Sequence, residues 1–312
     1  MSLIRWQQNY PYIFLLVNSR WYRYDVTSRP LGEGAMGVVY LGFDCQTNDK
    51  VAIKLLRQEF WNDTQIRERL KLEASIILNH PNIIRMIGYC EDESGSGPLY
   101  VLSEYVSGVT FKEHVQQQLV YLDISFQEKS YKIISEFRPV LNAVQYLHSY
   151  GVIHRDIKPM NLMFQDGCTL KLMDLGIARA DYFFDAHLKG FIGTMPFAAP
   201  EQIVADDVEA LIDNRADIYA LGVTLSYLLV DHFPLRVSDN LPSMVVDIIN
   251  KATSRNPDAR YQTADEMLYD VDAYLSGARL KKSQPPKNVA WLFLAGLTLV
   301  LIFYIVTRLL TI

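Results

Sequence analysis

The sequence predicts an α+β chain of two lobes, a small strand-rich lobe and a larger helical one, followed by a single C-terminal transmembrane helix. Three observations carry this. Up to about residue 104, β-prone runs such as GVVYLGFD, KVAIKLL and PLYVLSEYV alternate with glycine-rich or polar turns. From about residue 109 the apolar residues recur at helical spacing, as in YKIISEFRPVLNAVQYLHSYG and ADIYALGVTLSYLLV. The third is VAWLFLAGLTLVLIFYIV, residues 289–306, which contains no charged residue. As a helix that run would span about 27 Å, close to a bilayer's hydrocarbon thickness of about 30 Å.

Taken in order, IFLLV at 13–17, Asn18-Ser19 and RWYRY at 20–24 read as a hairpin with a two-residue turn. Residues 1–23 are therefore expected to form an extension ahead of a main domain at 24–276, with its lobes at about 24–104 and about 109–276. Within the first lobe, 62–79 suits a helix because Ile66, Leu70, Ile77 and Leu78 recur at near-helical spacing. SGSG at 94–97 separates the strands IIRMIGYCED and PLYVLSEYV. Residues 277–288, GARLKKSQPPKN, form a basic, Pro-broken linker to the apolar run.

Arg279, Lys281, Lys282 and Lys287 precede that run and Arg308 follows it, with Trp291 and Tyr304 near its ends. The excess of basic residues before the span predicts a single-pass membrane protein with residues 1–288 in the cytoplasm and a short tail at 307–312. So short a tail leaves no folded outer sensing domain to expect. IFLLV is too short for a signal-peptide core and no small-residue cleavage site follows it.

The chain has 312 residues, half of them hydrophobic, enough for more than one packed core. Its net charge of −5 excludes a nucleic-acid binder, since no basic surplus exists to neutralise a phosphate backbone. Cys45, Cys90 and Cys168 are scattered without metal-ligand spacing and read as reduced thiols.

Four motifs carry the chemistry. Gly32-Glu33-Gly34-Ala35-Met36-Gly37-Val38-Val39 joins two strands. Glycine lets backbone N–H groups approach phosphate oxygens, and the strand-to-strand setting disfavours a dinucleotide fold. Val51-Ala52-Ile53-Lys54 ends an apolar strand on a lysine, costly to bury unless it meets anions. HRDIKPMN at 154–161 gathers an acid, a base and an amide, and Asp174-Leu175-Gly176 follows eighteen residues after Asp156.

In this order the motifs resemble the eukaryotic-like protein kinase family, in its bacterial serine/threonine form, over about residues 24–276. The resemblance implies a bilobal protein-kinase-like fold, ATP and Mg2+ as cofactors, and protein substrates with serine or threonine hydroxyls. It implies that Lys54 holds the α- and β-phosphates and pairs with a helix glutamate, for which Glu73 is chosen with Glu68 as the alternative. Leu31, Gly32, Gly34, Gly37 and Val39 would cover the nucleotide, while Ala52 and Met163 sandwich the purine. Ser103 is the expected gatekeeper, and the backbone of Glu104-Tyr105-Val106 would hold adenine. Asp156 would orient the attacking hydroxyl and take its proton, and Lys158 would counter charge on the transferring phosphate. Asn161 and Asp174 would ligate magnesium, and Thr194 would position substrate. Leucine replaces the more frequent phenylalanine after Asp174. Lys158-Pro159 resembles serine/threonine rather than tyrosine kinases.

By the same resemblance Arg260 pairs with Glu201, Asp217 braces the catalytic loop, and Ile77, Met86, His154 and Leu175 stack as one apolar column. The run from Glu73 to His80-Pro81-Asn82 is about two residues short for the family, and DHFPLRVSDNLPSMVVDIIN at 231–250 is also reduced. The segment from Asp174 to Glu201 holds no serine and offers only Tyr182 and Thr194 as hydroxyls. Asp181 or Asp185 could supply Arg155 with a permanent negative charge, or both could be solvated. Either way, activity without serine or threonine phosphorylation of this segment is expected, with self-association at the membrane as one route of control. The alternative function is a membrane-anchored pseudokinase scaffold that binds nucleotide and recruits partners.

Overall fold

The computed structural model of the protein describes residues 4–5, 10–119, 125–175, 195–203, 212–230 and 241–277. These fall in the first of two compact units, Met1–Gly277, the second being Ala278–Ile312. The apolar run at 289–306, the linker beyond Gly277 and the tail lie outside the described residues. Among the described residues no helix is long and apolar enough to cross a membrane.

The first lobe is built on an antiparallel sheet of eight strands: β1 (Ile4–Arg5), β2 (Tyr12–Val17), β3 (Arg20–Asp25), β4 (Gly32–Glu33), β5 (Gly37–Asp44), β6 (Lys50–Leu56), β7 (Met86–Glu91) and β8 (Leu99–Glu104). They run in the order β1-β2-β3-β5-β6-β8-β7, with β4 also on β5. β2 and β3 turn through Asn18 and Ser19, whose φ angles of 48° and 64° give the twist that a two-residue hairpin turn needs. Tyr22, Arg23 and Tyr24 of β3 pair with Asp44, Phe43 and Gly42 of β5. The hairpin is thus part of the lobe's own sheet, and the boundary expected at residue 24 falls inside β3.

That hairpin gives the sheet a second core. On one face Ile13, Leu15 and Val17 of β2 pack with Tyr22, Tyr24, Val51, Ile53, Tyr100 and Leu102. On the other, helix α1 (Thr64–Ser75) lays Ile66, Leu70 and Ala74 against Leu56, Leu99 and Val101. Successive residues of β8 point to opposite faces, and both faces are covered, which is why its apolar run LYVL is unbroken.

α1 is shorter than the 62–79 expected. Asp63 caps its start by accepting from Ile66 N at 3.0 Å. At the other end Ser75 Oγ donates back to Lys71 O at 2.7 Å, and Ile76 is extended with ψ 108°. Ile77 therefore leaves the helix and is 91% exposed, so it does not join the column expected of it; the buried residue of that turn is Leu78.

The second lobe packs α3 (Phe126–Ser149), α5 (Arg215–Val230), α6 (Ser243–Ala252) and α7 (Ala264–Leu275) around one core, after the short α2 (Phe111–His114); α4 is Pro200–Ile203. A Ser125/Glu128 capping box starts α3, and Ile133, Phe137, Val140, Leu141, Val144 and Leu147 form its buried stripe. β9 (Leu162–Gln165) and β10 (Thr169–Leu172) form a hairpin under the first lobe. The lobes are stitched where Ile84 N donates to Leu172 O at 2.9 Å and Leu172 N to Asn82 O at 2.8 Å. This stitch brings β10 and the residues after it to the floor of the cleft.

Candidate active site

A cavity of about 320 Å³ lies between the lobes. Leu31, Gly32, Val39, Ala52, Lys54, Glu73, Glu104 and Val106 line it from the first lobe and hinge, and Asn161, Met163 and Asp174 from the second. Ser103 lines it too. Of the two glutamates weighed for Lys54, Glu73 is 5% exposed and faces the cavity, whereas the Glu68 side chain is 72% exposed and pairs with Lys71 at 2.7 Å.

The glycines divide by role. Gly32 lines the cavity, and a Cβ there would meet nothing within 4 Å; Gly34 and Gly37 do not line it, and a Cβ on Gly34 would meet only Gly37 O at 3.9 Å. A Cβ on Gly37 would fall 2.7 Å from Leu55 O, so this glycine is required by the approach of β5 to β6.

Lys54 Nζ lies 3.6 Å from Asp174 Oδ1. Asp174 sits at φ +48°, a backbone conformation that a non-glycine residue adopts only when its surroundings hold it there. Behind it, Lys158 Nζ reaches both carboxylate oxygens of Asp156 at 3.0 Å. Asn161 Nδ2 donates to Asp156 O and Oδ2, each at 2.8 Å. With its amide hydrogens turned to Asp156, Asn161 presents its carbonyl oxygen as the end that suits a hard cation. One amide oxygen and the Asp174 carboxylate are what magnesium takes from protein when phosphates and water complete the shell, so the residues present fit MgATP.

Asp217 is fully buried and accepts from His154 N, Arg155 N and His148 Nε2, all at 2.8 Å. Two successive backbone N–H groups can aim at one carboxylate because Arg155 adopts φ +64°. His154 is buried as well. Its Nδ1 accepts from Asp156 N at 3.3 Å and its Nε2 donates to Met173 O at 3.0 Å, so the ring is neutral; burial holds its pKa down against the nearby carboxylates. Arg260 clasps Glu201 in a bidentate pair at 2.6 and 2.8 Å. Glu104 turns its side chain away from nucleotide duty: Oε1 accepts from Lys171 Nζ at 2.7 Å and Arg85 N at 2.9 Å, fixing the hinge. Thr194 and Gly176 lie outside the described residues, as do Tyr182, Asp181 and Asp185.

The protein kinase domain family matches residues 26–282. The chain belongs to that family. Among curated proteins, this kinase-domain chain is 33% identical over 284 residues to the serine/threonine-protein kinase PknB of Mycobacterium leprae, covering 82% of the chain and 43% of the relative. It is 29% identical over 286 residues to the serine/threonine-protein kinase PrkC of Bacillus subtilis, covering 84% and 42%. The kinase-domain chain thus spans less than half the length of these relatives. Among solved structures, the kinase domain of Mycobacterium tuberculosis PknI is similar at 25% identity and TM-score 0.59, over 80% of this chain and 94% of that one.

Neither His148 nor Lys171 was singled out from the sequence. Their partners, Asp217 and Glu104, lie 69 and 67 residues away in the chain, and no local pattern announces such contacts.

Proposed function

We propose that this chain is a serine/threonine protein kinase that transfers the γ-phosphoryl group of MgATP to protein hydroxyls, anchored to a membrane by residues 289–306 with its catalytic domain on the cytoplasmic side. The observation that carries the activity is the Asp156–Lys158–Asn161 cluster set beside the cavity where Lys54, Glu73 and Asp174 converge. Lys158-Pro159 and the serine/threonine kinases among the relatives support the choice of hydroxyl. The uncharged run and the basic residues before it support the anchor.

Magnesium, held by Asn161 and Asp174, would neutralise negative charge on the phosphates. The chain's own residues do the rest. Asp156 orients an incoming hydroxyl and accepts its proton, with Asn161 and the His154 ring fixing its position from two sides. Lys158 supplies positive charge next to the reacting atoms, and Lys54 anchors the phosphates from the opposite lobe.

The test is to incubate the detergent-purified full chain with γ-labelled ATP and a basic protein, then identify the labelled residue after acid hydrolysis. Label on serine or threonine supports the reading; nucleotide binding with no transfer would instead make the chain a scaffold. Carbonate extraction of membranes tests the anchor, which fails if the chain is released.

A further inference from the structure

Glu73 reaches the nucleotide cavity from α1, so something must set that helix's position and rotation. Its apolar stripe, Ile66, Leu70 and Ala74, fixes depth against the sheet. On another flank of the helix stands Arg67, whose side chain is 3% exposed.

The Arg67 guanidinium is shared among three segments. It donates to Trp61 O at 3.1 Å ahead of the helix, to Gly97 O at 2.6 Å in the β7–β8 turn, and to Glu91 Oε2 at 2.8 Å at the end of β7. The other Glu91 oxygen accepts from Lys71 Nζ at 3.1 Å, one helical turn further along the same flank. These acceptors are themselves held. Asp92 Oδ1 accepts from Ser94 N and Gly97 N and closes the turn, and Trp61 Nε1 donates to Leu56 O at 2.9 Å. At about 100° per residue, Arg67 lies roughly 120° and Lys71 roughly 160° round the helix from Glu73. A tether on that flank resists the roll that would carry Glu73 out of the cavity.

We propose that Arg67 is a positioning residue for phosphoryl transfer: by locking α1 to the β7–β8 hairpin it keeps Glu73 in the nucleotide cavity from within the lobe. This rests on the kinase reading above, and it gives that reading a physical source of helix placement that needs no phosphate on the 174–201 segment. Arg67 touches neither nucleotide nor substrate, so its effect is carried through Glu73.

The test uses the full chain and the variants Arg67→Met, Arg67→Lys, Glu91→Gln, Glu73→Gln and the double variant Arg67→Met/Glu73→Gln. Losing the charged hydrogen bonds should lower kcat/KM for ATP about tenfold or more in Arg67→Met, with Arg67→Lys and Glu91→Gln in between. The double variant should be no slower than Glu73→Gln alone, within about twofold, because both changes act on one carboxylate. Amide exchange should quicken in α1 and stay unchanged in α3 and α7. A folded Arg67→Met with wild-type kcat/KM, or a double variant that loses the product of the two single losses, overturns the proposal. If Arg67→Met does not fold, Arg67→Lys and Glu91→Gln decide it, and both at the wild-type rate overturn it. A wild-type chain without transfer activity refutes the kinase reading instead; the α1 exchange comparison still reads the tether, which fails if α1 protection is unchanged.

Discussion

Asp217 offers the sharpest energetic prediction. It is fully buried and accepts from three N–H donors, those of His154, Arg155 and the His148 ring, all at 2.8 Å. His148 Nδ1 already lacks a partner among the described residues, so removing Asp217 would leave both ring nitrogens unpaired. In Asp217→Ala, one buried and two part-buried donors lose their acceptor, at about 1–3 kcal/mol for the buried one and less for each of the others, or about 2–6 kcal/mol together. Asp217→Asn keeps the shape and one acceptor oxygen but turns an amide N–H against a backbone N–H; about 2–4 kcal/mol is expected. In a domain of this size that corresponds to a fall of roughly 5–15 °C in Tm. Urea unfolding followed by circular dichroism measures the loss, and the same samples give kcat and nucleotide affinity. Transfer should drop because the backbone at Arg155, held by Asp217, leads directly into Asp156. An Asp217→Asn chain within about 0.5 kcal/mol of wild type and with full turnover would refute the reasoning.

Three further outcomes follow from the same geometry. Gly37→Ala should cost about 1–3 kcal/mol through the clash with Leu55 O, whereas Gly32→Ala should leave stability within about 0.5 kcal/mol, since open space surrounds it; equal losses in melting experiments contradict the division. Lys54→Met should lower transfer about 10²-fold or more while the lobes keep their fold, checked by label transfer beside circular dichroism. The third concerns pH. Burial holds the His154 imidazole below its ordinary 6.5, so the unfolded ring takes up a proton that the folded ring refuses. Stability is then complete above pH 6.5 and declines as pH falls below it. His154→Phe should flatten that decline between pH 6.5 and about 5, and an unchanged slope in denaturant titrations would be contrary evidence.

What could be read from the sequence was whatever depends on local pattern. The glycine loop, VAIK, HRDIKPMN and Asp174 each declare themselves within a few residues, and the structure brings Lys54, Asn161 and Asp174 to one cavity with Asp156 alongside. The Asn18-Ser19 turn could be read for the same reason, since just two polar residues separate two β-prone runs. Tertiary competition was not legible. Apolar spacing extended α1 to residue 79, yet the Ser75 back-bond and the β-branched Ile76-Ile77 pair release the chain, and Ile77 faces solvent. Arg67 reads as an ordinary helix surface charge in TQIRERLKLEAS, and only the fold supplies the carbonyls of Trp61 and Gly97 that bury it. Gly37 resembled its loop partners, while the reason for it lies across the sheet at Leu55.

The central claim is that Lys54, Asp156, Asn161 and Asp174 act together on one metal-bound triphosphate. A crystal structure of the full chain with Mg2+ and a non-hydrolysable ATP analogue tests it most directly. The expected result places the β- and γ-phosphates between Lys54 Nζ and the Asp156 carboxylate, with the metal on Asn161 Oδ1 and Asp174. An analogue seated elsewhere, or a metal ligated by neither residue, would contradict the account.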